Sequence, residues 1–150
     1  MEKAIDFEAE STKGKIRLSE ILKNKDFLVL YFYPKAFTSG CTQELKRFIE
    51  LYEEFKKYNT EIIGVSNDNL ETQKKFAEKY GAEFPLIADP DLKVINLYNA
   101  KGRGKGASRI TYIIDKNLNI ITILKSLPNA KDHADKSLEI IKSKKQFKNQ

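Results

Sequence analysis

The stretch "FLVLYFYPKAFTSGCTQELKRFIELYEEF", residues 27–55, sets the frame for the whole chain. Its first seven residues are apolar or aromatic on both alternating faces, which is the pattern of a central strand buried on both sides. Past residue 41 the apolar positions become Leu45, Phe48, Ile49, Tyr52 and Phe55, with charged residues between them. That spacing predicts a helix with one buried stripe. Between strand and helix lies a small polar turn that carries Cys41, the single cysteine of the chain.

The same alternation continues downstream. "EIIGVSN" (61–67) reads as a second buried strand, and 69–81 reads as a helix that turns Leu70, Phe76, Ala77 and Tyr80 inward and stops at Gly81. A short strand follows in "FPLIADPDLKVINLYN", with Asp89 expected as a helix N-cap and Pro90 at the first helical position. Residues 108–124 read as a hairpin whose strands meet at Asp115–Asn119. A last amphipathic helix is expected over about 130–145, with the tail "KSKKQFKNQ" frayed. Strands interleaved with helices and ending in a hairpin argue for an α/β fold, a mixed central sheet flanked by helices. No repeat or second domain shows, so residues 1–150 are expected to form one domain.

Composition narrows the function classes. A hydrophobic fraction of 41% suits a packed core. The start "MEKAIDFEAE" has no apolar segment of the signal-peptide kind, and no apolar run reaches the roughly 18–20 residues of a membrane span. A cytoplasmic protein without membrane contact is expected. One cysteine and one histidine, His133, supply neither an internal disulfide nor the ligand set of a zinc site, so no metal or cofactor is expected. The net charge of +6 comes mostly from lysines interleaved with acidic residues, which reads as solvated helix faces rather than a nucleic-acid footprint. His133, Arg17, Arg47 and Arg103 are taken as surface residues. "KGRGKGAS" (101–108) reads as a mobile basic loop, since its glycines neither follow a strand directly nor open a helix as a phosphate cradle requires.

Cys41 admits two readings. Near a helix N-terminus, backbone amides lack intrahelical partners and the helix dipole is positive, and both effects favour a thiolate. Free cysteine is also among the most buried residue types, so an alternative reading makes Cys41 a small apolar residue on the helix's inner stripe. The first reading carries the expectation that the thiol is exposed.

The segment Pro34-Lys35-Ala36-Phe37-Thr38-Ser39-Gly40-Cys41 matches P-x-x-x-T-x-x-C and so resembles the active-site signature of peroxiredoxins. With "CTQE" following, it looks most like the PrxQ branch, also called bacterioferritin comigratory proteins. "EIIGVSNDN", "FAEKYGAEFPLIAD" and "SRITYIID" are similar to family segments in the family's order, so the resemblance covers roughly residues 5–140. It implies a thioredoxin-like fold and reduction of hydrogen peroxide and organic hydroperoxides. By the same resemblance Cys41 would be the peroxidatic nucleophile and Thr38 would hydrogen-bond the peroxide. Arg109 would face thiolate and substrate, Pro34 would shield the thiolate from water, and Glu44 would orient Arg109. A carboxylate beside a thiolate is unfavourable by itself, so Glu44 fits only if a cation pairs with it.

Many PrxQ proteins carry a second, resolving cysteine five residues after the first; here that position is Lys46. A one-cysteine cycle completed by an external thiol, from a thioredoxin-like protein or a small molecule, is therefore expected, in a monomer or weak dimer. The missing cysteine also motivates an alternative, a non-catalytic redox-sensing or binding protein on the same scaffold. T-S-G-C stands where a dithiol oxidoreductase needs C-x-x-C, which argues against that use of the fold.

Overall fold

The computed structural model describes residues 2–148. In chain order the elements are β1 (Glu8–Ser11), β2 (Gly14–Arg17), α1 (Leu18–Leu22), β3 (Phe27–Phe32), α2 (Ser39–Lys57) and β4 (Thr60–Ser66). They continue with α3 (Leu70–Tyr80), β5 (Leu86–Ala88), α4 (Lys93–Leu97), β6 (Ile110–Asp115), β7 (Ile120–Leu124) and α5 (Asp132–Lys148). The strands form one sheet in the order β2-β1-β5-β4-β3-β6-β7. β3, β4 and β5 run parallel, whereas β6 pairs antiparallel with β3 and β7 antiparallel with β6. The mixed α/β sheet expected from the sequence is present.

Every residue of β3 is buried, as its unbroken apolar run requires. Because side chains alternate across a strand, β3 feeds two cores. Phe27, Val29, Tyr31 and Tyr33 pack with Leu45, Phe48 and Phe55 of α2 and with Ala134, Leu138 and Ile141 of α5. Leu28, Leu30 and Phe32 pack on the opposite face with Leu18 and Leu22 of α1 and Val94 and Ile95 of α4. Parallel pairing of β3 with β4, register Phe27↔Thr60 to Phe32↔Val65, leaves α2 as the crossover between them. The carboxyl end of β3 and the N-terminus of α2 consequently meet at the carboxyl end of the parallel strands.

Several expectations are corrected. The N-terminal hairpin β1–β2 carries no strand signature strong enough to read from "EAES" and "GKIR", and it is held by its antiparallel register Glu8↔Arg17 to Ser11↔Gly14. Asp89 does cap α4, accepting from the amides of Val94 (3.2 Å) and Ile95 (2.8 Å), but from outside the helix. The Leu92 amide donates to the Asp89 carbonyl (3.0 Å), so Pro90 lies in that turn and α4 starts only at Lys93. α3 matches closely: Asn69 Oδ1 accepts from the Thr72 amide (2.8 Å), and Gly81 ends it in the left-handed region at φ 78°. α5 remains helical to Lys148 rather than fraying after about 145, and residues 149–150 lie outside the described part. Among the described residues, no helix is long and apolar enough to cross a membrane.

Gly64 in β4 is required by packing. A Cβ there would approach Leu86 Cδ2 to 2.8 Å and Tyr31 Cζ to 2.9 Å, so the Tyr31 ring lies directly on the glycine. Gly64→Ala is expected to lower stability by about 1–3 kcal/mol through overpacking, measured as a shift in urea midpoint with unchanged slope. A shift near zero would show that this contact does not constrain Tyr31.

Candidate active site

The turn from β3 into α2 is held from several sides. The Tyr33 amide donates to the Val65 carbonyl (3.0 Å), and the Ala36 amide donates to Asp68 Oδ2 (2.8 Å), which also accepts from Ser66 Oγ (2.7 Å). Phe37 follows in the left-handed region at φ 68°, a strained conformation for a bulky residue, with its ring against Phe76 at 5.0 Å and 44% exposed. Thr38 is the N-cap of α2 by backbone conformation, but its hydroxyl donates to the Lys35 carbonyl (2.7 Å) instead of capping. The first helical bond runs from the Thr42 amide to the Thr38 carbonyl (2.9 Å). The amides of Ser39, Gly40 and Cys41 therefore precede the ladder, and Cys41 occupies the third position of the helix.

The thiol of Cys41 is 1% accessible, contrary to the exposure expected of a reactive cysteine. The helix turns it onto the inner stripe with Tyr31, Ala36 and Leu45, so both readings of its position hold at once. Arg109 Nη2 donates to its Sγ at 3.4 Å. Arg109 Nη1 donates to Glu44 Oε1 at 2.6 Å, and Glu44 is fully buried. Glu44 lies three residues after Cys41 on the same helix face, while Arg109 arrives from the start of β6, antiparallel to β3. Burial pushes the Glu44 carboxyl up, and the Arg109 guanidinium bonded to it at 2.6 Å pulls it back down and holds the carboxylate form. Its second oxygen, Oε2, is buried without a hydrogen-bond partner among the described residues.

The structure thus joins Cys41, Glu44 and Arg109 directly. Pro34 and Thr38 flank them on the same turn, without a hydrogen bond to any of the three. Thr38 is exposed and its oxygen keeps acceptor capacity. Gly40 fits closely under the arginine, since a Cβ there would come within 3.1 Å of Arg109 Nη2.

His133 is a correction. It is 1% exposed, not a surface residue, because the first turn of α5 faces β6 and its Nδ1 pairs with Thr111 Oγ1 at 2.8 Å. Thr111 lies two residues after Arg109, so this contact ties α5 to the strand that delivers the guanidinium. A lone histidine at the start of an amphipathic helix gave no sign of that partner. Asp68 was likewise missed, although an acidic residue just past a strand end is a common turn former. Arg17 and Arg103 are exposed; Arg47, partly exposed, pairs with Asp135 of α5 at 2.7 Å. The 101–108 loop is anchored rather than free-standing, with an Asn67 Nδ2 bond to the Lys105 carbonyl (3.3 Å) and a Gly102 amide bond to the Gly106 carbonyl (2.9 Å).

A thiol at a helix N-terminus, faced by an arginine that a buried glutamate holds, is the arrangement the sequence resemblance implies. The family model described as AhpC/TSA family matches residues 1–123. The chain belongs to this family, among the Bcp/PrxQ peroxiredoxins. It is 40% identical over 144 residues to a putative peroxiredoxin bcp of Helicobacter pylori, covering 91% of this chain and 93% of the relative. It is 36% identical over 149 residues to peroxiredoxin Bcp of Bacillus subtilis, covering 94% and 93%. The crystal structure of peroxidoxin BcpB from Mycobacterium tuberculosis superposes with a TM-score of 0.87 at 33% identity, covering 95% of each chain. These neighbours place the sheet and helices in the thioredoxin-like fold of peroxiredoxins, an enzyme family that reduces peroxides with a thiol.

His133 makes the peroxiredoxin's stability pH-dependent in a defined window. Burial and the nearby Arg109 charge lower it from 6.5 to about 4. Between those values the unfolded chain takes up a proton that the folded chain does not, so stability falls as pH drops from 6.5 towards 4. His133→Asn is expected to flatten this part of the profile, measured as urea midpoints at pH 7 and pH 5. Equal slopes for the two proteins would contradict a buried neutral imidazole.

Proposed function

We propose that the protein is a thiol-dependent peroxidase acting on hydrogen peroxide and organic hydroperoxides, with Cys41 as nucleophile. The observation that carries this is the single guanidinium of Arg109 shared between Cys41 Sγ (3.4 Å) and the buried Glu44 (2.6 Å). The Cys41 thiolate attacks one peroxide oxygen. The S–O bond forms as the O–O bond breaks, and the departing oxygen takes a proton to leave as water or alcohol, with Cys41 left as sulfenic acid. Arg109 holds the thiolate and stabilises charge developing on the departing oxygen, and Glu44 fixes its orientation. The Thr38 hydroxyl accepts from the peroxide, and Pro34 keeps water from the sulfur. Thiolate supply alone falls well short of the about millionfold acceleration typical of enzymes, so in-line orientation and charge stabilisation supply the rest.

Support for the substrate class comes from a relative. The bacterioferritin comigratory protein of Xanthomonas campestris, structurally similar with a TM-score of 0.81 at 29% identity, is described for its alkyl peroxide reduction activity. With Lys46 at the resolving position and no second thiol, the sulfenic acid is returned to thiol by an external thiol, either a thioredoxin-like protein or a small molecule. We read residues 1–150 as one peroxiredoxin domain, cytoplasmic, monomeric or weakly dimeric, and without nucleic-acid or membrane partners.

Stoichiometric hydrogen peroxide should add one oxygen to the reduced protein within seconds by intact mass, and Cys41→Ser should abolish the addition. A Cys41 that stays reduced would overturn the reading. Sustained turnover with a thiol-reducing system separates the peroxidase from a protein that is oxidised once and only signals. Arg109→Lys should lower the second-order rate of oxidation by about a hundredfold or more, because the planar donor pair spanning sulfur and carboxylate is lost. Stopped-flow tyrosine fluorescence or competition kinetics reads this directly.

A further inference from the structure

The active-site turn borders a cleft of about 550 Å³ whose opposite wall is the 102–108 loop. Lys35 projects into its lining from the turn, and Arg103 and Lys105 from the loop. All three are exposed, and among the described residues none forms an ion pair. The acidic residue in the lining, Asp68, already has Oδ2 engaged by the Ala36 amide and Ser66. The wall is built against the site: a Cβ on Gly106 would come within 2.6 Å of the Pro34 carbonyl oxygen, and Ser108 at the end of the loop adjoins Arg109. The cleft is therefore bounded by Pro34 on one side and by the segment entering Arg109 on the other.

We propose that this cleft docks the reductant of the cycle, a small thiol that carries carboxylate groups. The inference rests on the peroxidase reading and deepens it. A buried sulfenic acid with no internal partner must receive its thiol from an adjoining surface. Three unpaired cations there concentrate anions and offer charge-assisted hydrogen bonds to carboxylates. A tripeptide-sized thiol spans about 10 Å, enough to keep its carboxylates on the rim while its sulfur passes Pro34. The first thiol condenses with Cys41–SOH, forming an S–S bond and releasing water. A second thiolate then attacks the outer sulfur of that mixed disulfide, releasing the Cys41 thiolate and the symmetric disulfide of the reductant.

The test begins with Cys41 oxidised by one equivalent of hydrogen peroxide and checked by intact mass. Formation of the mixed disulfide is then timed with glutathione (net anionic), 2-mercaptoethanol (neutral) and cysteamine (cationic), each rate expressed per thiolate. The wild type is compared with Lys35→Gln/Arg103→Gln/Lys105→Gln and with the charge-keeping Lys35→Arg/Arg103→Lys/Lys105→Arg. Glutathione should lead by about tenfold at low salt, lose that lead as salt rises and lose it in the glutamine variant. The charge-keeping variant should retain it, and 2-mercaptoethanol should be unaffected throughout. Equal glutathione rates in wild type and glutamine variant would overturn the proposal, as would the same loss for all three thiols. An effect confined to reduction by thioredoxin, with none on glutathione, would overturn the small-thiol occupant. Failure of Cys41 to take up oxygen in the first step would instead remove the peroxidase reading itself.

Discussion

The ion pair between Arg109 and the buried Glu44 is the constraint on which the site depends. A carboxylate removed from water is costly unless a cation meets it, and a lone carboxylate beside Cys41 would disfavour the thiolate. Arg109 resolves both problems with one planar group, offering one nitrogen to each partner. That arrangement works only because the sheet delivers its members to one end of its central strands. β3 leads through a strained turn into α2, so Cys41 and Glu44 share a helix face, and β6 runs antiparallel beside β3, so its first residues end at the same place. The Thr111–His133 contact then fastens α5 to that strand.

Much of this was legible in the residues. The all-apolar 27–33 run, the helical spacing from Leu45 to Phe55 and the 108–124 hairpin each resolve to the expected element, because their patterns are long and periodic. Glu44 lies where its offset of three from Cys41 puts it. Arg109 is different: it pairs with a cysteine 68 residues away, and only the resemblance to a known family pointed to it. Short elements stayed hidden for a related reason. β1 and β2 are four residues each and largely polar, so tertiary pairing and not pattern makes them strands.

Cys41 was expected in the open because chemistry needs access, yet the stripe that builds α2 also buries its third residue. Access to sulfur is consequently a property of the Pro34–Thr38 turn and of the loop leaning on it, not of the thiol's own exposure. His133 was read as a surface group because nothing in one helix reveals what faces it from a strand. Lys46, by contrast, is an absence that sequence shows plainly. Without a second thiol, the fate of the oxidised sulfur passes to whatever the surrounding surface admits.

Arg109 acts on Cys41 as one unit with Glu44. A double-mutant cycle of Glu44→Gln and Arg109→Lys on the rate of Cys41 oxidation by hydrogen peroxide tests it most directly. Strong non-additivity is expected, the double variant being little slower than Arg109→Lys alone, because the glutamate acts only through the arginine. Effects that add within about 0.5 kcal/mol would contradict it.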